Sequence, residues 1–548
     1  MRRVRVICVL LPVCLWLAGC GGDPGFPNRI QPAIGPDGIT TLRKGNGAEP
    51  QTLDPAKATG VPAANILRDL YEGLVIYAPD GHVIPGDAKS WRISADGKTY
   101  TFHLRKNAKW SNGAPVTAQD YVFSLRRAVA PSTASPYADI HAPIVNATAI
   151  IDGKKPPASL GVAALDAHTL QIKLHAPTPF FLKTLAHSSS DPVYPPAVKK
   201  WGDAFTQPQH AVTNGAYELV SWRVNDKIVL RRNPHYWDNE DTAIDRVEYY
   251  PITDANSELA RYQAGGLDWT SGVPTAKLDT VKKHIPGQYH AVPTLSVFYF
   301  GLNVTRPPFQ GRRKLRMALS MALDREIITD KILRGNEIPA YSWVPTALQG
   351  YRSVRYAWAG LSDKARKARA RKLYHEAGYS EEHPLKANLL YVSGEGGKRM
   401  AIVAAAMWRK VLGAEINTRS QEWKVYLQTI HSRRNTQIFY VGWIGDYEDP
   451  NTFFSIMKTH SAQNESGYHS AVYDRAVSAS QHMPSGPKRT RLMHVAEATL
   501  LHDSPIIPLY FGSAHHLIKP YVKGFVGNPL GAYYSKDMNI VPASAGGR

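Results

Sequence analysis

The sequence predicts a mixed α/β protein of two or three domains. Three observations carry that prediction: short stretches in which apolar and polar residues alternate, longer stretches with an apolar residue every third or fourth position, and a length of 548 residues with no internal repeat. Chains of this size bury about three quarters of their surface and divide into units of roughly 50–200 residues.

The elements follow in chain order. Arg2, Arg3 and Arg5 precede the apolar run 6–18, which meets Leu17-Ala18-Gly19-Cys20. A dozen apolar residues fall short of the roughly 20 needed to span a bilayer as a helix, so residues 1–19 read as an export signal. The pattern resembles bacterial lipoprotein signals, which implies cleavage before Cys20 and acylation of that residue. Several acyl chains on one cysteine hold to a membrane more firmly than a single myristoyl group. Residues 20–38, rich in Gly and Pro, read as a flexible tether. Gly21 after Cys20, in place of Asp, favours release from an inner membrane. Cys8 and Cys14 leave with the signal, so the folded part has no thiol for a disulfide, a metal site or a nucleophile.

Alternation of Tyr100, Phe102 and Leu104 with Thr99, Thr101 and His103 predicts a half-buried strand over 98–104. Further strands are predicted at 169–174, 227–231, 246–252, 388–392, 437–441 and 506–511. After the Asn112-Gly113 turn, Thr117 and Asp120 form a capping box that opens a helix over 118–129. Leu315, Ala318, Leu319, Ala322 and Leu323 put one stripe on a helix expected to run to about Arg334 and stop at Gly335. A third helix, 400–412, ends at Gly413 and is apolar nearly all round, which predicts a core position.

The net charge of +20 becomes +17 without the three signal arginines. Export argues against nucleic acid as the partner, and the aromatics are not interleaved with the basic clusters as a stacking platform requires. The densest cluster, 364–372, reads as a solvated helix face closed by Gly378, with attraction to anionic lipid as the second reading.

Enzyme signatures fail on spacing. His375-Glu376 is followed by Tyr379 where a zincin needs its second His. Gly394-Glu395-Gly396-Gly397-Lys398 lacks the first Gly of a phosphate loop and carries Arg399 in place of Ser or Thr. No Gly-x-Ser-x-Gly elbow occurs. His515 and His516 cannot share one face of a strand and read as surface histidines. Neither a metal nor a cofactor is expected.

One stretch stands out. Residues 442–453 place Asp446, Glu448 and Asp449 beside Trp443 and Tyr447 after the strand 437–441, with Gly442, Gly445 and Pro450 marking a turn. Two readings stand: the acids cap a following helix, or they hold a cationic ligand group. Two carboxylates could also serve a glycoside hydrolase, but residues this close in sequence seldom straddle a sugar ring.

A series of strings carries a family likeness: Leu53-Asp54-Pro55, Arg68-Asp69-Leu70-Tyr71-Glu72-Gly73-Leu74, Thr101-Phe102-His103-Leu104-Arg105, Pro115-Val116-Thr117-Ala118, Ala134-Ser135-Pro136-Tyr137, Thr213-Asn214-Gly215-Ala216-Tyr217, Pro307-Pro308-Phe309, Gln421-Glu422-Trp423-Lys424 and Gly442-Trp443-x-x-Asp446-Tyr447. In this the chain resembles the periplasmic oligopeptide-binding proteins that feed ABC transporters.

The resemblance implies a periplasmic-binding-protein-like fold, two lobes joined by a hinge, with the extra domain of the peptide-binding members. Domain I would comprise 39–71, 196–297 and 514–548, domain II 72–195 and domain III 298–513. It implies no enzyme activity. The expected role is a monomeric, lipid-anchored, extracytoplasmic receptor that encloses extended oligopeptides and delivers them to a permease and its ATPase. Asp446 falls on the family's amine-binding position. Trp443, Trp423, Tyr137 and Val61 fall on cleft walls, and Gly442, Ile444 and Gly445 supply backbone to the first peptide residues.

The basic positions that serve the peptide carboxylate differ. Tyr440 replaces an Arg, a glycine near Gly397 replaces a His, an Arg falls near Ile430 or His431, and Thr59 replaces a Glu. Arg433 and Arg434 are the nearest basic alternatives. Ligand length is therefore open, and a narrower ligand such as a murein-type peptide or a metal chelate is the alternative.

Overall fold

The computed structural model describes residues 34–35, 38–335 and 337–541. The export signal, Cys20 and nearly all of the tether lie outside the described residues. Three larger sheets organise the rest. The first has the strand order Thr41–Gly45, Arg246–Tyr250, Lys227–Arg232, Tyr217–Arg223, parallel at the first pair and antiparallel beyond. The second is antiparallel throughout, in the order Ala88–Ile93, Thr99–Leu104, Thr169–Lys173, Val162–Asp166. In Thr99–Leu104 the alternation is realised, with Tyr100, Phe102 and Leu104 buried.

The third sheet has six strands, in the order Ile338–Pro339, Ile506–Leu517, Tyr289–Leu302, Ile438–Ile444, Lys386–Val392, Glu415–Gln421. Its last three strands run parallel, joined by the helices Glu395–Leu412 and Trp423–Ser432, because parallel neighbours need a crossover. One apolar core, containing Leu42, Phe102, Ile172 and Tyr249, unites the first two sheets in one lobe. A second, with Phe300, Leu319, Trp408 and Ile438, belongs to the third sheet and makes the other lobe. The lobes meet where Ile76, Tyr77 and Tyr534 of the first pack with Val297, Trp343 and Phe453 of the second. Among the described residues no helix is long and apolar enough to cross a membrane.

Several expectations need correction. The helix expected over 315–334 is Arg313–Ala322 only; the chain is extended at Leu323, and Asp324 then accepts from the Ile327 N–H (3.1 Å) to start a second, wider helical segment. Burial of Arg325 drives that break, since its guanidinium donates to the carbonyls of Ala340 and Pro508 (2.8 Å each) in two other segments. The helix expected from Met400 starts at Glu395, so the Gly-rich run before it is a first turn, and Ile402, 51% exposed, shows that it buries one face rather than all.

Within the basic helix Asp363–Glu376, Arg366 is buried and donates to the carbonyls of Met321 and Leu323. The basic face is thus not wholly solvated. His515 and His516 are not surface residues either: both stand on Ile506–Leu517, His515 against Tyr289 and Glu337 and His516 buried beside Trp269. The Thr117–Asp120 capping box is present, with the Asp120 carboxylate accepting from the Thr117 N–H at 2.9 Å.

Trp408 is fully buried in the second core and donates its indole N–H to the Leu319 carbonyl at 2.8 Å. Trp408→Ala is expected to cost about 3–5 kcal/mol. Denaturant titration followed by circular dichroism checks this, and a midpoint unmoved from wild type is the contrary result.

Candidate ligand-binding cleft

A cavity of about 490 Å³ lies between the lobes. One wall comes from the helix Val61–Leu70, whose Val61, Asn65 and Arg68 fall on one face at helical spacing. The opposite wall comes from the end of Ile438–Ile444 and the start of Trp423–Ser432. Position follows from topology, because ligands of such sheets bind beyond the carboxyl ends of the parallel strands. Asp446 stands two residues past that end.

The strand Ile438–Ile444 is longer than the sequence suggests, and Gly442 lies within it rather than in a turn. A Cβ there would come within 2.6 Å of the Phe298 ring, so glycine is required. On one side this strand pairs with Tyr289–Leu302 along its whole length. On the other it pairs with Lys386–Val392 only at Ile438 and Phe439. Gly445 donates to the Leu295 carbonyl (2.7 Å), which turns the odd-numbered residues toward the paired side. The backbone groups of Gly442 and Ile444 therefore face the open edge, where Gly442, Trp443, Ile444 and Gly445 line the cavity.

Asp446 is anchored through its backbone, its N–H donating to Thr452 Oγ1 (3.0 Å) and its carbonyl accepting from the Tyr77 hydroxyl (2.8 Å) of the other lobe. The carboxylate itself has only a 3.4 Å donation from the Thr452 hydroxyl. Desolvation pushes its pKa up to about 7, against the opposing effects of Thr452 and Arg68. His187 Nε2 lies 3.7 Å away, but burial pushes that imidazole down to about 3, so it is a neutral neighbour and not an ion-pair partner.

The other acids of the stretch are differently used. Asp449 makes two hydrogen bonds with the buried Arg489 (2.6 and 2.9 Å) and accepts from the Asn451 N–H (2.9 Å). Glu448 faces Lys183. The helix-capping reading thus holds for Asp449, while of the acids in this stretch Asp446 alone keeps acceptor capacity toward the cavity.

Val61, Tyr137, Trp423, Trp443 and His431 all line the cavity. The indole N–H groups of Trp423 and Trp443 are buried without an acceptor among the described residues. Tyr137 packs on His187 (4.3 Å between rings) and faces Trp443. Trp423 crosses to the other lobe, where a Cβ on Gly60 would meet its ring at 2.7 Å. His431 stands 3.5 Å from the buried Glu465.

Tyr440, expected at the cleft, does not line it. Its ring turns to the opposite face against Phe298 and Phe300, with its hydroxyl on that of Tyr510. Sequence reasoning assigned no role to Arg68, His187, Asp191 or Glu465, which line the same cavity. Of these only Arg68 carried a usable signal, its spacing of seven from Val61 on one helix.

The model of the bacterial extracellular solute-binding proteins, family 5 Middle, matches residues 82–465. The chain belongs to this family. A family-5 solute-binding protein is a transport receptor and not an enzyme. The chain is 42% identical over 515 residues to the periplasmic oligopeptide-binding protein OppA of Escherichia coli, covering 92% of this chain and 94% of that one. The crystal structure of Haemophilus influenzae OppA in complex with RPPGFSPFR is matched with a TM-score of 0.89 at 38% identity, over 92% of this chain and 99% of that one. The Escherichia coli murein tripeptide binding protein MppA is matched equally well, at 0.89 and 38% identity over 91% and 98%. The unliganded open form of MppA gives only 0.65, so the lobes of this family-5 protein stand as in the peptide complex.

The two acids predict opposite stability effects. Asp449→Asn leaves the buried Arg489 without its carboxylate and is expected to cost about 3 kcal/mol. Asp446→Asn removes a carboxyl with no cation against it, with an expected change of less than about 1 kcal/mol. Chemical denaturation of both variants, without ligand, should separate them; equal losses would contradict the assignment.

Proposed function

We propose that this protein captures extended oligopeptides between its lobes and hands them to the permease of an ABC transporter. The observation that carries the reading is the open strand edge at Gly442 and Ile444 running directly to the desolvated carboxyl of Asp446. Backbone pairing along a strand edge is indifferent to side chains, and a carboxylate at its end selects an α-ammonium. Asp446 receives the amine, Trp443, Tyr137, Trp423 and Val61 wall the first residues, and the two free indole N–H groups meet ligand acceptors directly or through water. Both OppA relatives are named for oligopeptides, and MppA for a murein tripeptide. A narrower, murein-type ligand is the second reading, favoured by the absence of a basic side chain at Tyr440.

Domain I is taken as 39–71, 196–297 and 514–548, domain II as 72–195 and domain III as 298–513. The hinge then falls within the two long strands Tyr289–Leu302 and Ile506–Leu517, whose mutual register shifts between Pro293 and Val297. The receptor acts as a monomer, exported and held to a bacterial membrane through acylated Cys20. Mass spectrometry of the membrane-extracted protein should find a blocked, diacyl-modified Cys20, and a free thiol there would refute the anchor.

Titration calorimetry tests the site. Asp446→Ala leaves the ligand ammonium buried and unpaired, at a cost of about 3–5 kcal/mol, or more than a hundredfold in affinity. N-acetylated peptides should bind wild type comparably poorly. The pH dependence has a definite sign. With the lobes closed and no ligand between them, desolvation pushes the Asp446 carboxyl up to about 7, and the bound ammonium favours its ionised form, so binding releases a proton below pH 7. Affinity should fall about tenfold from pH 7.5 to pH 6, and also above about pH 8 as the peptide amine loses its proton. Equal affinity for free and acetylated peptide would sink this reading.

A further inference from the structure

We propose that Arg68 is a second ligand anchor, receiving a carboxylate that the ligand carries close to its α-ammonium. The inference rests on the peptide reading and narrows it to a class of ligand. Five residues with charged side chains other than histidine line the cavity: Lys44, Arg68, Asp191, Asp446 and Glu465. Of the two cations, Lys44 is committed. It is buried, donates to the Ser535 hydroxyl (3.4 Å) and lies over the rings of Tyr249 and Trp269 at 5.2 and 5.0 Å.

Arg68 is not committed. Among the described residues its side chain makes one hydrogen bond, a 3.4 Å donation to Asn65 Oδ1, and no ion pair. A guanidinium has five donors in a planar fork that fits a carboxylate with two parallel bonds, so most of its capacity is open. The open fork is also held in place. Asn65 donates to Asn46 Oδ1 (3.1 Å) and Asn46 to the Pro62 carbonyl (2.9 Å), which fixes the helix face that presents Arg68 to the cavity. A cation in the last turn of a helix also complements the helix dipole, but that interaction leaves its donors free.

Its position indicates which part of the ligand it meets. The charge of Arg68 acts on Asp446, on His187 beside it and on Tyr77, whose hydroxyl holds the Asp446 carbonyl. Arg68 therefore acts within reach of Asp446, on the same cavity. Asp191 on the same wall makes no ion pair with it among the described residues, and burial, with Asp87 and Glu72 nearby, pushes that carboxyl well above its usual range against the opposing charge of Arg68. A carboxylate held there belongs to one of the first two residues, either as an acidic side chain or as the C-terminus of a dipeptide.

Titration calorimetry with four ligands separates the sources: Ala-Glu-Ala-amide against Ala-Gln-Ala-amide, and Ala-Ala against Ala-Ala-amide. Wild type is expected to prefer the carboxylate-bearing member of at least one pair by about tenfold. Arg68→Gln should abolish that preference, any loss that follows from removing its charge from Asp446 being shared by all four ligands. If Arg68→Gln does not fold, Arg68→Lys, which keeps the charge and loses the fork, should weaken the preference several-fold. Equal wild-type affinities within both pairs, or a preference undiminished in the variants, overturns the role of Arg68 alone. Binding of none of the four by wild type overturns the peptide reading and this proposal with it.

Discussion

A carboxyl group withdrawn from water with no cation against it holds its proton to higher pH, and the cleft is organised around that condition at Asp446. Three other acids at buried or half-buried positions are provided for. Asp54 makes a forked pair with Arg127, Asp449 does so with Arg489, and Glu497 accepts from three backbone N–H groups and the Tyr351 hydroxyl. Asp446 has one long hydrogen bond from Thr452 and a neutral imidazole. The strand edge at Gly442 and Ile444 and the indoles of Trp423 and Trp443 are unsatisfied in the same way on the same wall. Buried polar groups are normally paired, so their convergence marks what the fold leaves for a ligand to complete.

Closure and ionisation are thereby coupled. Contacts between the lobes include Tyr77 with the Asp446 carbonyl, Gln463 with the Pro136 carbonyl, Phe180 stacked on Tyr447 at 5.4 Å, and Trp423 against Gly60. Bringing them together desolvates Asp446, which works against the closed arrangement when that group is charged. In the proposed function a ligand ammonium reverses the sign by pairing with the carboxylate. Its differential interaction with the closed state is what shifts the population, with no need for a separate trigger.

Much of this fold was legible in the sequence, and the exceptions share a cause. Strands such as Thr99–Leu104 and the capping box at Thr117 are set by local chemistry, and they appear as the sequence predicts. The errors came where a distant contact overrides the local pattern. Arg325 breaks a helix because its donors belong to carbonyls of two other segments. His516 is buried because Trp269, far away in sequence, covers it. In the site, the local motif led to Asp446 and Trp443, whereas Arg68 and Asp191 become cleft residues only once the lobes are assembled. Asp449 could not be told from Asp446 by sequence, since only Arg489, forty residues on, decides which acid is committed to structure.

The positions that the resemblance assigns to the ligand's far end, at Tyr440 and near Gly397, have structural roles of their own. Tyr440 is turned away from the cavity into a cluster with Phe298, Phe300 and Tyr510, so its replacement of a basic residue fills the core instead of the cleft. Gly397 lies in the first turn of Glu395–Leu412, where a Cβ would come within 2.7 Å of the Val392 carbonyl, so a side chain there requires the backbone to shift. Neither position takes a basic side chain toward the cavity without local repacking. Among the described residues the cavity cation with neither an ion pair nor a cation–π contact is Arg68, on the opposite wall and within reach of Asp446. On the proposed role of Arg68, ligand carboxylate recognition moves toward the start of the peptide, which favours short or acidic ligands over a graded series of lengths.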